Sequence, residues 1–190
     1  MSNAKGRLFV LSAPSGAGKS VVIKELLKMR PELIFSVSAT TRQPRPGEVE
    51  GISYFFVSRD KFAEMISNNE FFEYAEYIEE FYGTPKGPII KNRDERKDVL
   101  LDIEVQGAKQ VFAKEPDTIS IFIVPPNMDE LERRLRGRGT DTEAKLQARL
   151  ERARQELDEM DLYDYIIVND SVTHTAKKIL DIIDGKTGEE

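Results

Sequence analysis

The chain has no cysteine, no tryptophan and a single histidine, His174. Without cysteine there is neither a disulfide framework nor a thiolate metal site, and one histidine does not make a zinc centre. Apolar runs such as TISIFIV fall far short of the roughly 20 residues that span a membrane, and the first residues lack an apolar signal core. The chain therefore reads as a cytoplasmic protein with no membrane partner. Its net charge of −6 disfavours nonspecific nucleic-acid binding, which draws its affinity from neutralising phosphates, so no nucleic-acid partner is expected. Phosphate binding in so acidic a protein must rest on local clusters of arginine. The position of each cluster is then informative.

What is present is a chain of 190 residues, 39% hydrophobic and 33% charged, with apolar runs along its whole length. That length suits one domain with sub-lobes. RLFVLS (7–12) has strand character, and SVVIKELLKM (20–29) places Val22, Ile23, Leu26 and Leu27 on one helix face. LIFSVSATT (33–41), ISYFFVS (52–58) and EFFEYAEYI (70–78) read as strands, with a helix starting near Ser58. Residues 33 to 87 thus look like a small mixed lobe.

From residue 88 the pattern alternates. Helix 88–98 precedes strand 99–105, helix 107–114, strand 118–124 and helix 128–137, whose start is marked by Asn127 and Glu130 in capping-box spacing. GRGTDT interrupts, and Thr140 with Glu143 predicts a second cap before a helix over 144–160. Strand YIIVN and helix 172–184 close the chain, with Gly185 as the C-terminal cap and GKTGEE as a frayed tail. Strands alternating with helices predict an α/β protein whose central sheet is mainly parallel and covered on both faces.

Residues 13–20, APSGAGKS, match the phosphate-loop pattern G-x-x-x-x-G-K-[ST] except that Ala13 stands at the first glycine. In such a loop backbone N–H groups turn inward around phosphate oxygens, aided by the following helix N-terminus. Gly16 and Gly18 allow close approach, Lys19 reaches the outer phosphates, and the Ser20 hydroxyl is placed to help bind Mg²⁺. An ordinary glycine turn with a solvated lysine is the bland alternative, against which the strand before and helix after argue. A second G-K-T at 185–187 follows a helix and has Leu180 in place of the first glycine, which excludes it.

Arg42 and Arg45 sit three apart around a proline and are followed by Tyr54. Two guanidinium forks and a phenol can converge on one phosphate, or form a basic turn on an acidic surface. Farther on, Arg133, Arg134, Arg136, Arg138, Arg149, Arg152 and Arg154 crowd one segment, some of them in i,i+4 pairs such as Glu130–Arg134 and Glu132–Arg136.

SAPSGAGKS, SVSATTRQPRPGEVEGISY, EFFEYAEYIEEFYGTP, VLLDIEVQGA, RLRGRGTDTEAKLQARL and YIIVND occur in the order seen in guanylate kinases. The chain resembles that family from about residue 6 to residue 184, and its bacterial stand-alone form most closely. The resemblance implies a three-layer P-loop NTP hydrolase-like fold: core segments 5–32, 92–127 and 158–190, a GMP-binding lobe over 33–91, and a helical lid over 128–157. It implies Mg²⁺-dependent transfer of the γ-phosphoryl of ATP to GMP, with dGMP as a further acceptor. By resemblance ATP falls on Ala13, Pro14, Ser15, Gly16, Ala17, Gly18, Lys19 and Ser20, with Arg138, Asn169 and Asp170 near adenine. GMP falls on Ser38, Arg42, Arg45, Tyr54, Glu73, Tyr82, Thr84, Asp102 and Glu104. Lys19, Arg42, Arg134, Arg138 and Arg149 serve transfer. Ser20 holds the metal, with Asp102 or Glu104 reaching it through water. Glu104 stands where many family members have aspartate, which leaves its role open between base and metal shell. Two other readings compete: an inactive guanylate-kinase-like interaction module, and a monophosphate kinase for another base.

Overall fold

The computed structural model describes residues 5–77, 79–137 and 142–186. A fully buried strand, β1 (Leu8–Ser12), leads through the glycine turn into α1 (Lys19–Met29), whose buried side chains are Val22, Ile23 and Leu26. Short strands β2 (Ile34–Phe35), β3 (Ala39–Thr40) and β4 (Phe55–Phe56) follow, then α2 (Arg59–Ser67), β5 (Phe71–Tyr77), β6 (Glu80–Pro85) and α3 (Lys86–Asp94). The second half runs β7 (Val99–Asp102), α4 (Val105–Lys114), β8 (Ile119–Val124), α5 (Met128–Arg136), α6 (Glu143–Leu157), β9 (Tyr165–Val168) and α7 (Val172–Ile183). Strand order is β2-β7-β1-β8-β9 in the larger sheet and β4-β3-β6-β5 in the smaller. β2 pairs with β7, and β8 with β9, in parallel, as alternation of strands and helices predicts.

The chain divides into two compact units, one holding the described residues up to Val10 together with Leu33–Thr118, the other Leu11–Glu32 and the described residues from Ile119 on. In the first, α2 buries Phe62 against Phe71 and Ala39, with the two rings stacked at 4.4 Å. A Cβ on Gly83 would lie 2.8 Å from the Phe71 ring, so this β6 position has no room for a side chain. In the second, α1 packs on α7, and Leu131 and Leu135 of α5 meet Leu146, Leu150 and Ala153 of α6.

Several local expectations shift. The run 33–41 is two strands in different sheets, because Ile34–Phe35 pairs with Val99–Leu100 while Ala39–Thr40 pairs with Phe55–Phe56 and with Tyr82–Gly83. The strand expected from residue 52 contracts to Phe55–Phe56: Ile52 and Ser53 both donate their N–H to Val49 O, and the chain turns at Gly51, φ +72°. β6 mixes the strand formers Phe81, Tyr82 and Thr84 with Glu80, Gly83 and Pro85, which strands disfavour, so propensity alone does not place it. α3 starts earlier and ends sooner than expected, before Arg96 at φ +60°. β7 stops at Asp102, since Glu104 caps α4 and Val105 is already helical.

The Asn127 side chain accepts from Glu130 N at 2.8 Å, as its cap spacing predicts. Thr140 lies outside the described residues. The cap of α6 is Thr142, whose hydroxyl accepts from Lys145 N, and the helix gives way at Leu157 before a short 3₁₀ turn at Met160–Leu162. At the end of α7, Gly185 N bonds Ile182 O and Lys186 N bonds Asp181 O, with Gly185 at φ +70°; this is the paired closure of a Schellman motif.

Candidate nucleotide sites

The phosphate loop belongs to the second unit. Gly16 and Gly18 take φ of 95° and 97°, a backbone that a Cβ opposes, and Gly18 is the N-cap of α1 so that Lys19 is its first residue. No acid sits in the first turn of α1, which leaves its positive end to the loop. Ala13 is 4% exposed and is not among the described non-glycine residues with positive φ, which are Asn69, Glu79 and Arg96. The missing first glycine is therefore not a conformational requirement. Ser20 is exposed, one residue beyond Lys19.

Four side chains brace the loop. The buried amide of Asn169 donates to Ala17 O at 2.7 Å, and its Oδ1 accepts from Thr175 Oγ1 at 3.1 Å. Arg134 donates to Ala17 O and to Asn169 O, each at 3.1 Å, while its Nε is paired with Glu130 at 2.7 Å. The Ala17 carbonyl thus accepts from two side chains, while its N–H closes the turn on Pro14 O. From α6, Arg149 donates to Ser15 Oγ at 2.8 Å, and the buried Glu156 accepts from Ser15 N and from Arg152 Nε. Asp170 is exposed and accepts from Ser171 N. Arg138 lies outside the described residues.

The residues expected to read GMP all fall in the first unit. Antiparallel pairing puts Glu73 of β5 opposite Thr84 of β6, and Thr84 donates its hydroxyl to Glu73 Oε1 at 2.5 Å. With that proton committed, Ser38 is the donor in its 3.4 Å contact with Thr84. Glu73 is 4% exposed, and loss of hydration pushes its carboxyl up to about 7 despite the Thr84 bonds. The positive charge of Lys114 opposes that rise and the negative charge of Glu104 adds to it. Asp102, at the end of β7, and Glu104, at the start of α4, are half-buried.

Arg42 is surrounded. Its guanidinium makes a bidentate pair with Glu48, both bonds 2.8 Å, donates Nε to Tyr82 Oη at 3.3 Å, and lies 5.1 Å over the Tyr54 ring. Glu48 also accepts from Arg45 N at 2.7 Å, and the Arg42 fork holds its carboxyl at about 2. The Arg45 side chain is exposed beside this pair. Arg42, Tyr54 and Tyr82 therefore do come together, but around a carboxylate the sequence reading missed. Arg45-Pro46-Gly47-Glu48, with Gly47 at φ +85° and Glu48 N on Arg45 O, is a turn of type II shape; the Pro-Gly pair is the signal that places Glu48 back beside the arginines. Glu156, Thr175 and Gly107 were missed as well.

Fold and loop define the class: an α/β protein of the P-loop type, in which a buried strand, a glycine turn and a helix opening on lysine present an anion site. The family model described as Guanylate kinase matches residues 5–186. The chain is 50% identical over 179 residues to the guanylate kinase of Clostridioides difficile (strain 630), covering 94% of this chain and 87% of that one. The chain belongs to the guanylate kinase family. The guanylate kinase of Trichodesmium erythraeum (strain IMS101) is 51% identical over 174 residues, 92% of this chain and 94% of its own. A crystal structure of guanylate kinase from Anaplasma phagocytophilum matches with a TM-score of 0.80 at 37% identity, covering 98% of this chain and 88% of that one. Neither the interaction module nor a kinase for another base is favoured by these relatives. Among the described residues no helix is long and apolar enough to cross a membrane.

Proposed function

We propose that this chain transfers the γ-phosphoryl group of ATP to GMP, giving ADP and GDP, with residues 13–20 as the donor loop and the β5–β6 hairpin as the reader of the acceptor base. The observation that carries the reading is the buried Glu73 carboxylate, anchored through one oxygen by Thr84. Guanine offers N1–H and N2–H₂ side by side, which a carboxylate accepts as a fork. Adenine offers no such pair and would leave a buried carboxylate unsatisfied. Thr84, Asp102 and Glu104 complete the base contacts in this reading, while Ser38, Arg42, Arg45, Tyr54 and Tyr82 take the GMP phosphate.

An oxygen of the GMP phosphate is already an anionic nucleophile, so no residue need act as a base; the requirement is positioning and charge neutralisation. Two unit charges brought to roughly 4 Å at an effective dielectric near 20 repel by about 4 kcal/mol. Lys19, Arg134, Arg138 and Arg149 offset that repulsion on the donor side, with Asn169 and Asp170 at the adenine end. The buried side-chain amide of Asn169 is committed to Ala17 and Thr175, so its service to ATP includes holding the loop.

Mg²⁺ fits this donor set. Among the described residues no group of three or more His, Cys, Asp or Glu makes a protein cage, and Mg²⁺ characteristically keeps waters and phosphate oxygens, taking few protein ligands. The exposed Ser20 hydroxyl, beside Lys19, would supply one such ligand. The ion would neutralise charge on the outer phosphates.

Purified protein with Mg²⁺, ATP and in turn GMP, AMP, UMP or dTMP is expected to release ADP rapidly with GMP and poorly with the others. Absence of GMP-dependent release would sink the reading. Arg149→Ala is expected to lower kcat by about 10³-fold or more while the KM for GMP changes only a few-fold, since an arginine on the transferring group acts mainly in the transition state. Steady-state kinetics with near-normal turnover would remove Arg149 from the transfer step.

A further inference from the structure

Gly107 is the third residue of α4, and glycine weakens a helix relative to alanine. Its φ is not in the left-handed region, so conformational freedom does not explain it. Space does. A Cβ at Gly107 would overlap Glu73 Oε2 and lie 2.9 Å from its Cδ and 3.4 Å from its Cγ. One carboxylate oxygen rests against the bare backbone of α4, while the other is taken by Thr84.

Both sides are held. Glu73 is fixed by the β5–β6 register, with its partner Thr84 fully buried. α4 is riveted to the edge of β5 by the same helix face that carries Gly107. Gln110, three residues on, donates to Tyr74 O at 2.6 Å and accepts from Tyr74 N at 3.3 Å; Lys114, a further turn on, donates to Phe72 O at 2.6 Å. Those bonds satisfy the outer backbone groups of an edge strand and hold the helix one glycine-width from the carboxylate.

We propose that Gly107 is a specificity-determining residue: the missing side chain sets the position of the Glu73 carboxylate, and through it the preference for guanine over purines that lack the 2-amino group. This rests on Glu73 being the base-reading group. Gly107 itself touches no reacting atom and acts by position.

The test uses Gly107→Ala, Glu73→Gln, Glu73→Ala, and Gly107→Ala combined with Glu73→Ala or Glu73→Asp. Melting temperature and kcat/KM for GMP and for IMP are measured at saturating ATP. Gly107→Ala should lower kcat/KM for GMP by about 10- to 100-fold, the range of a lost bond to a charged group, with a smaller loss for IMP and an unchanged KM for ATP. Glu73→Asp, a shorter arm, should restore part of the GMP preference in the Gly107→Ala background. In the Glu73→Ala background the same alanine should raise the melting temperature, because the obstruction is gone and alanine is the better helix former. That readout holds even if Gly107→Ala alone folds poorly. The proposal is overturned if Gly107→Ala keeps the GMP:IMP ratio that Glu73→Gln destroys, or if it destabilises equally with and without the Glu73 side chain. If Glu73→Gln itself leaves the ratio intact, the base reading has failed and the guanine preference falls with it, while the stability cycle separately reports the steric fit.

Discussion

Lys19→Ala is expected to lower kcat by about 10³-fold and to weaken ATP binding, whereas Ala13→Gly, which restores the usual loop pattern, is expected to change both less than about twofold. The contrast follows from what each position contributes. Lys19 opens α1 directly after a left-handed Gly18, so its charge is added to a helix end already biased toward anions. Ala13 follows the last residue of β1, is almost fully buried, and has no positive φ to relieve. The glycines that matter are elsewhere: a Cβ on Gly16 would lie 2.8 Å from Leu135 Cδ2, and one on Gly18 would lie 2.6 Å from Asn169 Nδ2. Calorimetric titration with an ATP analogue, together with steady-state turnover, checks both variants. Near-normal turnover in Lys19→Ala, or a tenfold gain in ATP affinity from Ala13→Gly, would contradict the assignment of the loop.

The second large effect is expected at Glu73. Its folded carboxyl is raised from 4.5 to about 7, first by burial. Between those two values the folded protein holds a proton that the unfolded chain has lost, so this group's contribution to stability declines as pH rises through that window. Binding runs the other way. Accepting the N1–H and N2–H₂ donors requires the ionised form, so affinity for guanine should be full above about 7 and fall by up to roughly tenfold per unit below it.

Guanosine is the cleaner probe, because GMP carries a phosphate that itself titrates near pH 6. The Arg42–Glu48 pair does not interfere, since Glu48 is held at about 2 and Arg42 is raised above its ordinary value. Glu73→Gln should lose the pH dependence and about 10²-fold in kcat/KM for GMP, an amide presenting a donor where the carboxylate presented an acceptor. A guanosine affinity that stayed flat from pH 5.5 to 8 in the unmodified protein would refute the ionisation argument.

The phosphate loop was legible because its chemistry is local: glycine spacing, lysine and serine lie within eight residues between a strand and a helix, and backbone geometry within so short a span follows from residue type. Asn127 as a cap and Gly185 as a helix terminator were readable for the same reason. The ordered motifs carried the family and the candidate residues further, but gave no sign of which carboxylate faces which guanidinium.

Glu73 on its alternating strand reads as a solvated acid, yet pairing with β6 buries it. Arg42 and Arg45 read as a phosphate fork, yet a carboxylate three residues on returns through a Pro-Gly turn to fill the fork of Arg42. The sequence alone therefore determined the α/β class, the loop and the end signals of α5 and α7, because these depend on neighbours along the chain. Only the tertiary structure decided that 33–41 splits between two sheets, that Asn169 braces the loop, and that Gly107 leaves room for Glu73. Those outcomes depend on partners up to 152 residues away, where pairing and packing, not residue type, choose the contact.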